Sequence, residues 1–237
     1  MDASAYTGFH KTLAGKIIPY LAPENTICDL GCGLGRLDLE LAAFVRELTA
    51  VDLSENVVET LRQDAESLNL VNVYAECRDA TQISEVYDIV LMSFFGRPSF
   101  SDITKLYRHK LIRVVNVDNS SNFYPERYRC TVKETVPEVR EELTKQGVNF
   151  TQELYSIEFG QPLRSWRDAE LFVLNNAPEI SAEESRAFLK DRIEHTGRDD
   201  YPFYLPNKKE IGVFIINKPC QQVNEKEYWI CHSEETK

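Results

Sequence analysis

The chain has 237 residues, 43% apolar and 11% aromatic, with only 10 glycines and 10 prolines. That composition excludes global disorder, fibres and repeat arrays, and the length fits one domain with an insertion or a domain with a small lobe. The formal charge of −11 is spread over both halves of the chain, which argues against nucleic-acid partners or an anionic membrane surface, since both need clustered Lys and Arg.

No apolar run approaches the roughly 20 residues of a membrane span, and MDASAYTGFHKTLAG lacks the basic-then-apolar order of a secretory signal. The expectation is a soluble, cytoplasmic protein without a membrane partner; the oligomeric state is not legible. Six cysteines, Cys28, Cys32, Cys77, Cys130, Cys220 and Cys231, form no paired CxxC knuckle and are expected to be reduced, mostly buried thiols. The four histidines have no short pair spacing, so no metal site is expected.

Phe9, Leu13 and Ile17 recur at helical spacing and predict an amphipathic helix over Tyr6 to Tyr20, ahead of Pro23. TICDL reads as a strand that runs into a glycine cluster, GRLDLELAAFV as a helix, and ELTAVDLS as a second strand ending in an acid. A helix over Glu55 to Asn69, the strand VNVYAEC, a linker near Asp79 to Glu85 and the apolar YDIVLMSFF continue the alternation. A helix over Asp102 to His109, the strand KLIRVVNVD and a helix from Pro137 to Gly147 follow. Central strands with near-continuous apolar runs predict an α/β fold whose open, mostly parallel sheet is covered by helices on both faces.

TQELYSIEF and EIGVFIINK read as late strands; between them lie SWRDAELFVLNN and SAEESRAFLKDRIEH as helices and the aromatic run DYPFYLP. The expected organisation is an amino-terminal helix or cap over 1–24 and a cofactor-binding core over 25–159. An insertion over 160–210 is a candidate substrate lid, and 211–237 hold the strand that completes the sheet and a tail.

The sharpest feature is Asp29-Leu30-Gly31-Cys32-Gly33-Leu34-Gly35, directly between a strand and a helix. Alternate glycines permit tight turning and close backbone approach, and a helix amino terminus offers free N–H groups to a polar ligand. Asp52 closes the second strand and Asp79 follows the third. In an open α/β sheet ligands sit beyond the carboxyl ends of the strands, so these three loops are expected to line one crevice. Asp52 is placed to accept both hydrogen bonds of a ribose diol. NAD sites use the same acid, but they require GxGxxG; here the third glycine comes one residue early and Arg36 stands where a glycine packs the helix closely.

The ordered set DLGCGLG, AVDLS, CRDAT and YDIVLMSFF resembles the motifs of the class I S-adenosylmethionine-dependent methyltransferase family, a likeness that covers about residues 25–120. The resemblance implies a Rossmann-like methyltransferase sheet that binds S-adenosylmethionine (SAM) and releases S-adenosylhomocysteine (SAH). It further implies that the backbone of Gly31, Gly33 and Gly35 holds the methionine portion, with Asp29 ordering that loop and Ser93 closing the fourth motif. Asp52 would bind the ribose, with Leu53 against the adenine, and Asp79 would contact the adenine amino group, with Ala80 beside it. Ser93-Phe94-Phe95-Gly96 lacks the Asn/Asp-Pro-Pro-aromatic tetrapeptide of amine methyltransferases acting on nucleic acids, so a small-molecule acceptor is expected.

No catalytic residue is assigned. His10, His109 and His195 are weak candidates for a base. The loop Asp118-Asn119-Ser120-Ser121-Asn122-Phe123-Tyr124 and the pair Phe94 and Phe95 are candidate acceptor walls, and Tyr6, Trp166, Tyr201 and Tyr204 are lid candidates or simple anchors of loops. Two alternatives stay open: a non-catalytic nucleotide-cofactor-binding or protein-interaction module, and an NAD-dependent oxidoreductase.

Overall fold

The computed structural model describes residues 3–96, 99–120, 123–128 and 133–218. Helices α1 (Ala3–Thr7) and α2 (Phe9–Ile17) lead into strand β1 (Thr26–Leu30), α3 (Arg36–Leu41), β2 (Glu47–Asp52), α4 (Glu55–Ser67), β3 (Val73–Cys77) and β4 (Tyr87–Ser93). The short α5 (Phe100–Ile103), β5 (Tyr107–Asn116), α6 (Val136–Lys145) and β6 (Phe150–Glu158) follow. Then come β7 (Gln161–Leu163), α7 (Trp166–Asn176), α8 (Ala182–Arg192), β8 (Glu194–His195), β9 (Phe203–Leu205) and β10 (Lys208–Asn217).

Seven strands form one sheet in the order β3-β2-β1-β4-β5-β10-β6. The first five are parallel, and β10 runs antiparallel to both its neighbours. This is the open, mostly parallel Rossmann-like methyltransferase sheet, with helices on both faces. Strand periodicity divides the core. Ile27, Ile89, Leu91, Ile112 and Val213 face α2 and α3 on one side, while Cys28, Val90, Met92, Leu111 and Phe214 face α5 and α6 on the other. Burial on both faces is why these strands read as continuous apolar runs.

The amino-terminal helix begins earlier than the spacing predicts and is broken at Gly8, whose φ of 65° no interior helix position adopts. The helix predicted over Asp102 to His109 is a single turn, and His109 lies inside β5. Pairing overrides local propensity there: Tyr107 registers with Tyr87 of β4, and the β5 backbone is held by β10 from Asn116 to Lys110. His195 likewise sits in β8 beside the Phe203 ring, not at a helix end; Lys190 and Arg192 occupy the last turn of α8.

Residues between β6 and β10 form a small sheet, β7-β9-β8, with their own apolar cluster of Leu163, Ala169, Val173, Leu189 and Leu205. The aromatic run supplies its central strand, β9. Strand β10 starts at Lys208, three residues before the predicted boundary at 211, and residues 219–237 lie outside the described residues, as do Cys130, Cys220 and Cys231. Of the other cysteines Cys28 is buried and Cys77 exposed, because Cys77 ends the edge strand β3. No described helix is long and apolar enough to cross a membrane.

Arg113 of β5 is 3% exposed and donates to Glu134 (2.5 Å) and to Glu142 of α6 (2.8 Å). Two carboxylates offset the desolvation of one guanidinium and hold α6 against the sheet. Arg113→Met is expected to cost about 3 kcal/mol in denaturant unfolding, the low end for breaking a buried pair because Glu142 keeps water contact. A loss below about 0.5 kcal/mol, the scale of an ordinary surface substitution, would assign α6 docking to its apolar face alone.

Candidate active site

The loop after β1 is held by β2. Gly31 and Cys32 donate their N–H groups to the Val51 carbonyl (2.8 and 3.0 Å), and Gly33 donates to Asp52 Oδ2 (2.9 Å). Ser54 donates to Asp52 Oδ1 (3.0 Å), so each oxygen of Asp52 has lone-pair capacity left for a diol. Gly31, Gly33 and Gly35 all have positive φ, but they do different work. A Cβ at Gly31 would strike the Phe95 ring at 2.0 Å, whereas one at Gly33 would meet nothing. At Gly35 it would strike Leu61 of α4 at 2.3 Å. Gly35 therefore performs the close helix packing that the sequence seemed to deny at Arg36.

Three cavities follow one another along the carboxyl ends of the strands. The first, about 370 Å³, is lined by Asp52, Leu53, Asp79, Ala80, Phe95 and Ile103. Asp79 caps a short turn, accepting from the Thr81 N–H (2.8 Å) and hydroxyl (2.7 Å), and these bonds lower its pKa. Leu53 is 72% exposed at the rim. Two acids above an apolar wall suit a nucleoside. The second, about 310 Å³, is bounded by Asp29, Gly31, Gly33, Ser93, Phe94 and Lys209. The third, about 270 Å³, takes Asn116, Asn119, Phe123, Lys133, Asn207 and Lys209. The nine residues predicted for cofactor binding thus line the first two cavities, except Gly35, which turns to α4.

Asp29 is 2% exposed and its Oδ1 has no hydrogen-bond partner; Asp38 of α3 is fully buried with both oxygens unpartnered by any other group. The two carboxyls lie against each other. Burial pushes both upward, Asp38 to about 7; the Asp38 carboxyl raises Asp29 further, whereas the hydrogen bond from Asp29 favours the charged form of Asp38 and only partly offsets its burial. Asp38 was not singled out from sequence, although its place beside Leu37 on the buried stripe of α3 was a signal.

Phe94 holds a left-handed backbone, φ 53°, uncommon for a bulky residue and costly unless the surroundings enforce it. Its N–H is fixed by the Val114 carbonyl at 2.8 Å. The Lys209 Nζ stands 3.3 Å from the centroid of the Phe94 ring and 5.2 to 5.3 Å from those of Phe159 and Phe9. No hydrogen bond or ion pair holds this amine among the described residues. Burial, with Lys133 nearby, lowers it to about 7. Lys209 was also missed, yet it is in phase with Ile211, Val213 and Ile215, which face the core.

The other candidates are placed as follows. His10 lies at the second cavity. His109 is 61% exposed near Asp88, 3.6 Å away, at the opposite end of the sheet. Asn119 clasps the backbone of Lys133 through both its amide atoms (3.2 and 2.8 Å), and Ser120 closes a turn on Asp118; Ser121 and Asn122 lie outside the described residues. Tyr6 stacks on Tyr201 and Tyr204 at 6.0 and 5.6 Å, anchoring α1 to the small sheet, and Trp166 meets Phe203 within that sheet's cluster.

A methyltransferase-domain family model matches residues 27–117. Curated relatives from Methanococcus maripaludis and Methanococcus vannielii, each named probable cobalt-precorrin-6B C(15)-methyltransferase (decarboxylating), are 22% and 21% identical over 98 residues. Those matches take in 41% of this chain and 54% of theirs, so the chain spans about half the length of the curated relatives. Among solved structures, a putative methyltransferase from Bacillus halodurans C-125 superimposes with a TM-score of 0.57 at 16% identity, covering 88% of this chain and 98% of that one. Magnesium protoporphyrin IX methyltransferase from Synechocystis PCC 6803 with bound SAH gives 0.53 at 15%, covering 88% and 84%. The [4+2]-cyclase SpnF gives 0.53 at 14%, covering 88% and 81%.

The acid pair sets a pH dependence. Against an unfolded carboxyl near 3.9, Asp38 at about 7 keeps its proton in the folded chain. Between those values the folded state binds more protons, so stability falls as pH rises. Asp38→Asn is expected to raise the melting temperature by about 2–4 °C at pH 8, roughly 1 kcal/mol for this size, with the gain shrinking toward pH 5; an equal loss at both pH values would refute the shared proton. With its glycine loop, acids and sheet order in place, the chain has a Rossmann-like methyltransferase fold whose residues 27–117 match the methyltransferase-domain family model.

Proposed function

We propose that this protein transfers a methyl group from SAM to a small polar acceptor and releases SAH. The observation that carries the reading is the adjacency of the three cavities, the first and second sharing Gly31 and Phe94 and the second and third sharing Phe159 and Lys209, which suits nucleoside, amino-acid and acceptor spaces in that order. The residues fit the cofactor. Gly33 leaves open space where a ligand approaches the backbone, and the buried Oδ1 of Asp29 lacks a partner that an ammonium group would supply.

In this reading Asp52 orients the ribose, Asp79 and Ala80 meet the adenine across from Leu53, and Asp29 and the close-approach surface of the glycine loop seat the methionine end beside Ser93. The bound cofactor supplies an electrophilic methyl on a sulfonium. The chain's part is alignment and exclusion of water: Phe94 and Phe159 wall the transfer point, and the amide of Asn116 offers hydrogen bonds to a polar acceptor. A space of about 270 Å³ equals about nine waters at ~30 Å³ each, which supports a small acceptor over a macrocycle, although named relatives act on tetrapyrroles. The acidic surface supports the same choice over nucleic acid, and a cytoplasmic setting belongs to the proposal.

An oxidoreductase is disfavoured by the sheet. Dinucleotide folds run 3-2-1-4-5-6 in parallel, whereas here an antiparallel β10 separates β5 from β6. Calorimetry is expected to show SAH binding that Asp52→Ala weakens at least tenfold, about 1.4 kcal/mol; tighter binding of NAD than of SAH would overturn the cofactor assignment. Turnover is read by incubating labelled SAM with a small-molecule extract and resolving products by mass spectrometry. Strong SAH binding with no labelled product would leave a cofactor-binding module.

A further inference from the structure

Lys209 occupies a place that the cofactor reading leaves unexplained. It lies on β10, in phase with the core-facing Ile211, Val213 and Ile215, so the strand turns a lysine inward where neighbouring positions bury aliphatic groups. Its Nζ lies over the rings of Phe9 from α2, Phe94 just after β4 and Phe159 just after β6. Aromatic faces attract a cation, yet they accept no proton and donate no hydrogen bond. Lys209 borders both the second and the third cavity.

We propose that Lys209 is the catalytic base of the transfer, accepting the proton of a protic acceptor (an N–H, O–H or S–H group) seated in the third cavity. This rests on the methyl-transfer reading above. The acceptor's lone pair bonds to the methyl carbon, the carbon–sulfur pair returns to sulfur, and the acceptor proton passes to Nζ. The products are the methylated acceptor, SAH and a lysine ammonium, which then loses its proton to solvent.

The charged surroundings favour a neutral amine before reaction. Lys133 faces it from the segment before α6 and, after burial, is the second cause of its lowered affinity for a proton. Lys208 and Glu210 flank it on its own strand, and Glu210 is engaged by Ser156. Glu158 of β6 is engaged by Tyr204. Across the second cavity lie His10, Asp29 and Arg36, the Asp29 carboxyl being turned to Asp38; Asp118 borders the third cavity. None of these carboxylates is ion-paired with Nζ, and a base poised near the working pH is the one that proton transfer favours.

The test uses the full chain, Lys209→Met, which keeps an unbranched stem, and Lys209→Arg, which keeps a charge but is no base at neutral pH. The first measurement is calorimetric affinity for SAM and for SAH from pH 6 to 9. SAM carries a sulfonium charge that SAH lacks, so an amine beside the methyl site disfavours SAM while protonated. The wild-type SAM-to-SAH affinity ratio is expected to rise about threefold or more through pH 7, and Lys209→Met to hold it level; a level wild-type ratio, or a step kept by Lys209→Met, overturns the placement. The second is labelled methyl transfer from SAM into the extract fractions that yield product. Wild-type rate is expected to climb through pH 7, while both variants lose about 100-fold, within the range for general-base catalysis, with SAH affinity within threefold. Retained turnover with an unchanged pH limb overturns the base alone. SAH binding without any wild-type product overturns the base together with transfer, and absence of SAH binding overturns the cofactor reading itself. If Lys209→Met fails to bind SAH, Lys209→Arg decides.

Discussion

Three successive amides, of Gly31, Cys32 and Gly33, leave β1 and are all satisfied by β2, two on the Val51 carbonyl and one on the Asp52 carboxylate. A buried turn with orphan N–H groups would be costly, and this bracket removes that cost while holding the loop open toward ligand. Asp52 can be oriented for a diol only because Gly33 and Ser54 fix its plane. Gly35 can start α3 at the right angle only because Leu61 of α4 fills the space where a side chain would stand. The cavities beyond the strand ends inherit their shape from this bracket.

Four ionisable groups sit in the interior around it, and the fold treats them in three ways. Arg113 has two carboxylates and stays charged, which makes it a structural tie. Asp29 and Asp38 have each other, so they hold a proton that the solvent would take at neutral pH. Lys209 has only aromatic faces and gives its proton up more readily than a surface lysine does. A fold that needed only stability would fill the last two positions with aliphatic side chains, since replacing buried charge by well-packed apolar groups is often neutral or stabilising. Both stand on the cavity side of the sheet, away from the Arg113 tie on α6. The Asp29–Asp38 pair and Lys209 thus stand toward the edge that offers space to a ligand.

The parallel half of the sheet and its acids were legible because the signals are local. Alternation of strand and helix periods, a glycine cluster between them, and a terminal Asp on each of two strands need no knowledge of distant residues. Where placement depends on pairing across the chain, the sequence misled or stayed silent. The stretch before KLIRVVNVD has helical character, yet Tyr107, Arg108 and His109 extend β5 because β4 and β10 offer backbone partners. Asp38, in the first turn of α3, carries no sign of its partner in the sequence, because Asp29 comes from a different element. Lys209 opened a strand whose inward face was readable from Ile211 and Val213, but the rings beside its amine come from α2 and from just after β4 and β6, segments up to two hundred residues away in the chain.

Fold and reaction then separate along the sheet. The strands from β1 to β5 carry what the family model matches, and the proposed nucleoside and amino-acid spaces lie beyond their ends. Those strands alone do not name a chemistry, as the superposition with a protein named as a [4+2]-cyclase illustrates. What differs from an all-parallel sheet is that β10 enters antiparallel between β5 and β6. Reversal of that strand brings its first residues, Lys208 to Glu210, to the same edge as the carboxyl ends of the parallel strands; a parallel strand would present its last residues there instead. It also sets Lys209 opposite Ile157 of β6, two residues from Phe159, so the amine and the aromatic wall arrive together from two neighbouring strands. The small sheet between β6 and β10 holds these two strand ends together, with Phe159 donating its N–H to the Asn207 carbonyl (2.8 Å). An insertion at that point changes the acceptor space without disturbing the bracket that holds the cofactor end, and specificity on this scaffold is therefore free to vary where β6 and β10 meet.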